Sequence, residues 1–186
     1  MKKIVIFASG SGSNAENIIR YFLNCETAKV IAVFSNNKAA KVLEKATSYQ
    51  VPAYVFDKEE LNSNVVLEKL QHLQPDLIVL AGFLLKFPVP IIKTFSNRII
   101  NIHPALLPKF GGKGMYGIHV HKAVLENKET ETGITIHYVN ENYDEGKYIF
   151  QKSIPIVNCT TPEVIALKVL ELEHEYFPKV IEQLLS

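Results

Sequence analysis

Short apolar runs separated by amphipathic stretches leave a chain few ways to fold, and five such runs precede position 105: Ile4 to Ala8, Lys29 to Ser35, Ala53 to Phe56, Asp76 to Gly82 and Arg98 to Pro104. Between them apolar residues recur at helical spacing. Ala40, Val42, Leu43 and Ala46 share one side of a helix expected over 37–49, and Leu61, Val65, Leu70 and Leu73 one side of a long helix expected over 57–73. A helix reaching about Cys25 follows the first run, with Ser13 and Glu16 spaced as a capping box. Pro88 and Pro90 open another. The run Leu77–Leu80 is apolar on both faces, as a strand covered by helices on each side must be. Strand–helix alternation of this kind implies a doubly wound, Rossmann-like α/β fold with a mainly parallel sheet.

After about residue 105 the texture changes. A long irregular loop over 106–117 leads to a helix over 119–127. Two further strands, 133–139 and 148–156, form an expected antiparallel extension, the first alternating as a half-exposed strand does. Thr160 or Thr161 with Pro162 starts a final helix of more than 20 residues. The 186 residues read as a single domain, with a nucleotide-binding half over about 1–100 and a catalytic half over about 101–186.

A net charge of +1 with no block of like charge argues against nucleic acid or an anionic membrane as a partner. Lys2 and Lys3 before an apolar run imitate a signal peptide, but the run ends after five or six residues in Gly and Ser. The longest apolar run, 77–85, is too short to cross a bilayer. Cys25 and Cys159 stand in no metal or redox spacing. These features lead to the expectation of a cytoplasmic protein.

Two stretches carry chemistry. The turn 9–14, Ser-Gly-Ser-Gly-Ser-Asn, joins a strand to a helix, where backbone N–H groups and the dipole favour an anion. The same turn also arises for steric reasons alone. Gly10, Gly12 and Ala15 fit the dinucleotide fingerprint, but the second strand ends without the acidic residue that a ribose hydroxyl demands. The second stretch holds Asn101 and His103, two apart on a strand end and therefore on one face. Polar groups on a buried strand must be satisfied or used. Asp144 and Glu145 lie in a later loop, as a carboxylate partner or as an ordinary turn. His119 and His121 are two apart on a helix and do not face each other, so no metal site is expected. His137 is expected to point outward, and His72 to sit on a solvated helix. No Ser or Cys nucleophile motif is present, which points to direct acyl transfer.

Residues 101–108, Asn-Ile-His-Pro-Ala-Leu-Leu-Pro, resemble the N-x-H-P-S-L-L-P signature of folate-dependent formyltransferases, and the spacing to Asp144-Glu145-Gly146 fits as well. The Gly-Ser-Gly-Ser-Asn turn and the Leu-Ala-Gly-Phe strand end resemble the phosphoribosylglycinamide branch of that family. The resemblance implies formyl transfer from 10-formyltetrahydrofolate, a co-substrate rather than a tightly bound cofactor, to the amine of glycinamide ribonucleotide, in de novo purine (IMP) biosynthesis. It implies that Asn101, His103 and Asp144 are catalytic, with Asp144 raising the pKa of His103. Gly12, Ser13 and Asn14 would hold the 5-phosphate and Glu173 the ribose or glycinamide. Leu84, Leu85, Lys86, Phe87, Asn101, Val139 and Asn140 would meet the folate. The partners would be these small molecules, and the state a monomer or homodimer. Departures are Ala105 for the usual Ser, Leu84-Leu85-Lys86 for Met-Arg-Ile, and a longer loop in which Lys113 and Tyr116 reach over the substrate. Formyltetrahydrofolate deformylase, with its N-terminal regulatory domain, and methionyl-tRNA formyltransferase, with its C-terminal RNA-binding domain, fit a chain running from first strand to core helix less well. A non-catalytic nucleotide-binding module is the alternative outside the folate enzymes.

Overall fold

A computed structural model describes residues 1–186. Seven strands form one sheet: β1 (Lys2–Phe7), β2 (Ala28–Ser35), β3 (Ala53–Val55), β4 (Leu77–Leu80), β5 (Ile99–His103), β6 (Glu131–Tyr138) and β7 (Tyr148–Pro155). Their order is β3-β2-β1-β4-β5-β6-β7. The first five pair in parallel, and β6 and β7 continue the sheet antiparallel. The expected doubly wound sheet with an antiparallel extension is therefore what the chain forms.

Two-residue periodicity divides the core. Ile4 and Ile6 of β1 face a cluster with Val33, Val79, Ile100 and Ile134, covered by α1 (Ser13–Phe22), α2 (Lys41–Ser48), α6 (Ile118–Glu126) and α7 (Pro162–Leu185). Val5 and Phe7 face the opposite cluster, covered by α3 (Lys58–Asn62), α4 (Asn64–Leu73) and α5 (Val89–Thr94). Phe7 is its hub, stacked on Phe34 at 4.9 Å between ring centroids and edge-on to Phe87 at 5.0 Å.

Several local expectations are corrected. The capping box at Ser13 and Glu16 does not form. Gly12 takes the N-cap position with φ 70°, where a Cβ would run into Val42, and Glu16 reaches Lys45 of α2 at 2.7 Å. The box that does form joins Asp57 and Glu60, at 2.8 and 2.9 Å. The long helix expected over 57–73 is two helices, because Ser63 is extended and its hydroxyl caps α4. The first helix ends at Phe22 rather than near Cys25, and the second begins at Lys41 rather than Asn37. β6 is buried over Thr132–His137 rather than half exposed, since α7 packs on the Ile134 and Ile136 face and the loops carrying Ala105 and Asp144 close over the Thr135 and His137 face.

The chain runs outward from β1 to β3 and then returns to the other flank of β1. The loops after β1 and β4 thus leave the sheet at the point where its order reverses, the place where such sheets bind ligands. They are tied together there. Ser9 N donates to the Gly82 carbonyl at 3.0 Å, and Leu84 N donates to Ser9 Oγ at 3.0 Å.

Candidate active site

A cavity of about 770 Å³ opens at this switch point. Asn101 and His103 enter it from β5, as their spacing implies, and the antiparallel partner β6 sets His137 directly across from Asn101 and Thr135 across from His103. His137 is therefore buried in the site, 2% exposed, rather than pointing outward.

His103 is 3% exposed. Its Nε2–H donates to the Phe110 carbonyl at 2.7 Å, and its Nδ1 stands 3.6 Å from Asp144 Oδ2. The carbonyl fixes the tautomer, so the neutral ring keeps its lone pair at Nδ1, toward the carboxylate. Asp144 Oδ2 also accepts from Gly112 N at 2.9 Å, and Oδ1 lies 3.5 Å from His137 Nε2. With Nδ1–H of His137 donating to the Tyr138 carbonyl at 2.9 Å, its Nε2 lies 3.2 Å from Asn101 Nδ2. Asn101, His137, Asp144 and His103 form one connected chain of polar groups.

Burial holds the His103 pKa below its ordinary value, and His137 adds to that, while Asp144 and the Phe110 carbonyl oppose it. Asp144 thus pulls the imidazole upward as expected, but the net direction is down because desolvation outweighs a single carboxylate. Burial alone would raise the Asp144 carboxyl, yet His137, His103 and the Gly112 N–H together hold it below the carboxylate norm.

The Asp144 loop is placed by tight packing. Asp144 adopts φ 56°, a left-handed conformation that Asp tolerates better than most residues. Two residues on, a Cβ at Gly146 would run into the Tyr138 carbonyl, so only glycine lets the loop pass this close to β6. Thr135, fully buried, locks the turn after His103. Its hydroxyl donates to the Ala105 carbonyl at 2.7 Å and accepts from Leu107 N at 3.0 Å and Gln151 Nε2 at 2.9 Å.

Farther along the cavity, α1 meets α7. Asn14 Nδ2 donates to Glu173 Oε2 at 2.6 Å, both side chains being 9% exposed, and Asn14 Oδ1 has no partner. Burial pushes the Glu173 carboxyl up to about 7, against the pull of Asn14. Ser11 and Asn14 line the cavity, whereas Gly12 and Ser13 stand beside them without lining it. Leu84, Leu85, Lys86 and Phe87 wall the opposite stretch, with Val139 and Asn140. Lys113 and Tyr116 of the long loop line it too. No cluster of three or more His, Cys, Asp or Glu side chains is arranged to hold a metal ion.

Residues 2–181 match the family described as formyl transferase. The chain belongs to the formyl transferase family. Within that family it is 40% identical over 190 residues to the chloroplastic phosphoribosylglycinamide formyltransferase of Arabidopsis thaliana, covering 97% of this chain and 64% of that protein. The phosphoribosylglycinamide formyltransferase of Bacillus subtilis is 35% identical, and the match covers 100% of this chain and 96% of the relative. The crystal structure of glycinamide ribonucleotide transformylase 1 from Geobacillus kaustophilus superposes with a TM-score of 0.91 at 34% identity, over the full length of both chains. The seven-stranded sheet and long closing helix are thus a formyl transferase fold.

Proposed function

We propose that this chain transfers a formyl group from 10-formyltetrahydrofolate to the amine of glycinamide ribonucleotide, a step of de novo purine biosynthesis in the cytoplasm. The observation that carries the reading is the connected group Asn101, His137, Asp144 and His103 on the wall of a cavity that also takes in Asn14 and Glu173. The ribonucleotide lies along α1 and α7, with its 5-phosphate at the backbone of Gly12, Ser13 and Asn14 and its ribose against Glu173. A helix N-terminus suits a phosphate, and a monophosphate on one ribose needs no acid at the end of β2. The folate lies against the main chain of Leu84 to Phe87 and against Val139 and Asn140. Gly12 and Ser13 lie outside the cavity wall and Asn14 on it, so the phosphate sits at its rim.

The transfer is direct. The amine attacks the formyl carbon on N10, forming a C–N bond and moving the carbonyl electrons onto oxygen. Protonated at Nδ1, His103 donates to that oxyanion while its Nε2–H stays on Phe110, and the Asn101 amide donates beside it. One such donor is worth roughly 3 to 4 kcal/mol in the transition state. Asp144 favours the charged ring against desolvation. It then relays, through water, the proton lost by the attacking nitrogen to N10, whose bond to carbon breaks.

The test follows tetrahydrofolate release from 10-formyltetrahydrofolate with and without glycinamide ribonucleotide. Release that requires the ribonucleotide, with formylated product, supports the transferase. Release without it indicates a hydrolase, and no release in either case leaves a binding module.

A further inference from the structure

Two imidazoles, His121 and His174, have a buried nitrogen with no hydrogen-bond partner, and of the two only His121 lines the cavity. His121 is 5% exposed, on the face of α6 that lines the cavity, and its Nδ1 is shut off from solvent with no hydrogen-bond partner. Buried nitrogens without partners are rare because each forfeits its hydration, at a cost of about 1–3 kcal/mol. Valine or leucine on this helix would avoid that cost, as Val120 and Val124 do on the same helix. A polar ring kept here at the expense of stability serves something that the empty protein lacks.

Its position narrows what that is. His121 lines the same cavity as Ser11, Asn14 and Glu173, and its helix α6 packs against α7, which carries Glu173 and packs in turn on α1, the elements assigned above to the phosphoribose. His103 is close enough that charge on one ring opposes charge on the other, and burial holds the His121 pKa down to about 4. The ring is therefore a neutral imidazole, with one N–H donor and one lone pair. Between the ribose and the formyl carbon runs the glycinamide arm, which carries an amide N–H, a carbonyl and the attacking amine. A carboxylate here would favour the unreactive ammonium, and a cation would offer nothing to accept an N–H. A neutral imidazole suits the arm.

Resting on that reading of the site, we infer that His121 hydrogen-bonds the glycinamide arm of the acceptor substrate and aligns its amine for attack. It is a binding residue for the acceptor and makes no contact with the folate.

The experiment compares wild type with His121→Leu and His121→Gln by calorimetric titration with glycinamide ribonucleotide and with ribose 5-phosphate, which lacks the arm. Thermal unfolding is recorded alongside. His121→Leu should bind glycinamide ribonucleotide about five- to tenfold more weakly, the worth of one neutral hydrogen bond. It should bind ribose 5-phosphate as wild type does and unfold at the same or a higher temperature, because an unpaired buried nitrogen has been removed. His121→Gln, which keeps a donor and an acceptor, should recover much of the affinity. Unchanged affinity of His121→Leu for glycinamide ribonucleotide overturns the inference. So does equal weakening toward both ligands with a lower unfolding temperature, which marks a structural residue. A wild type that binds ribose 5-phosphate but not glycinamide ribonucleotide overturns the reading of the site itself, and this inference with it.

Discussion

Glu173→Gln tests the electrostatics of the cavity without touching the proposed chemistry. The wild-type carboxyl is moved from an ordinary 4.5 to about 7 by burial. At about 1.4 kcal/mol per pH unit, that amounts to about 3 kcal/mol. The folded pKa lies above the unfolded one, so between pH 4.5 and 7 the folded chain keeps a proton that the unfolded chain has shed. Stability from this group is complete below 4.5 and is lost as pH rises through 7. Glutamine keeps an oxygen for Asn14 Nδ2 and never ionises. The variant should exceed wild type by less than about 1 kcal/mol near pH 5 and by about 3 kcal/mol at pH 8, the latter roughly 6–12 °C for a domain of this size. Urea unfolding of both proteins at both pH values measures this. Only the difference between proteins is informative, because the depressed pKa values of His103 and His121 give both proteins a slope of opposite sign. A stability difference that is the same at pH 5 and pH 8 would refute the argument, since it would mean that Glu173 is ionised in the fold at neutral pH.

Other outcomes follow from the same geometry. His103→Ala should lower kcat by about 10²–10³ with KM little changed, read from formyl transfer under saturating substrates; unchanged turnover removes His103 from the chemistry. Asp144→Asn should shift the pH above which activity falls toward lower pH, because the carboxylate that opposes desolvation of His103 is gone; a pH–rate profile measures it. Thr135→Val strands two donors and one acceptor behind the turn that follows His103 and should cost about 3 kcal/mol in denaturant unfolding. Gly146→Ala should leave the fold intact by circular dichroism yet lower kcat at least tenfold, since the Asp144 loop has to move off the Tyr138 carbonyl.

Where apolar periodicity carried the information, the sequence was legible. The alternation that assigns β1 to two cores is visible in Ile4, Val5, Ile6 and Phe7, and the burial of β4 in its unbroken apolar run. Asn101 and His103 stood out because polar residues on a buried strand need a reason. His137 did not, because the alternation of its neighbours imitates a strand with one wet face, and it is the loop carrying Asp144 and Gly146 that closes over that face. Ser13 and Glu16 had the spacing of a capping box, but glycine at the N-cap and Lys45 on a neighbouring helix gave Glu16 another partner. The break at Ser63 turned on one hydroxyl bonding to Val65 N, which helical periodicity on either side conceals. The pairing of Glu173 with Asn14 had no local signal at all, since it arises from α7 crossing α1, a contact 159 residues apart in the chain.

His103 is held at Nε2 by a main-chain oxygen seven residues downstream, and Asp144 by the main-chain nitrogen of Gly112. Every amino acid brings the same carbonyl, so the side chain at 110 is free to drift, within what φ 56° permits, without disturbing the tautomer. Chain length is not free. Adding or deleting one residue between His103 and Phe110 would draw that oxygen away, and the same holds up to Gly112. Lineages sharing this site are therefore expected to vary at 110 but not at Gly111, where a Cβ would run into Leu107, and to vary in length only after Gly112, in the loop carrying Lys113 and Tyr116.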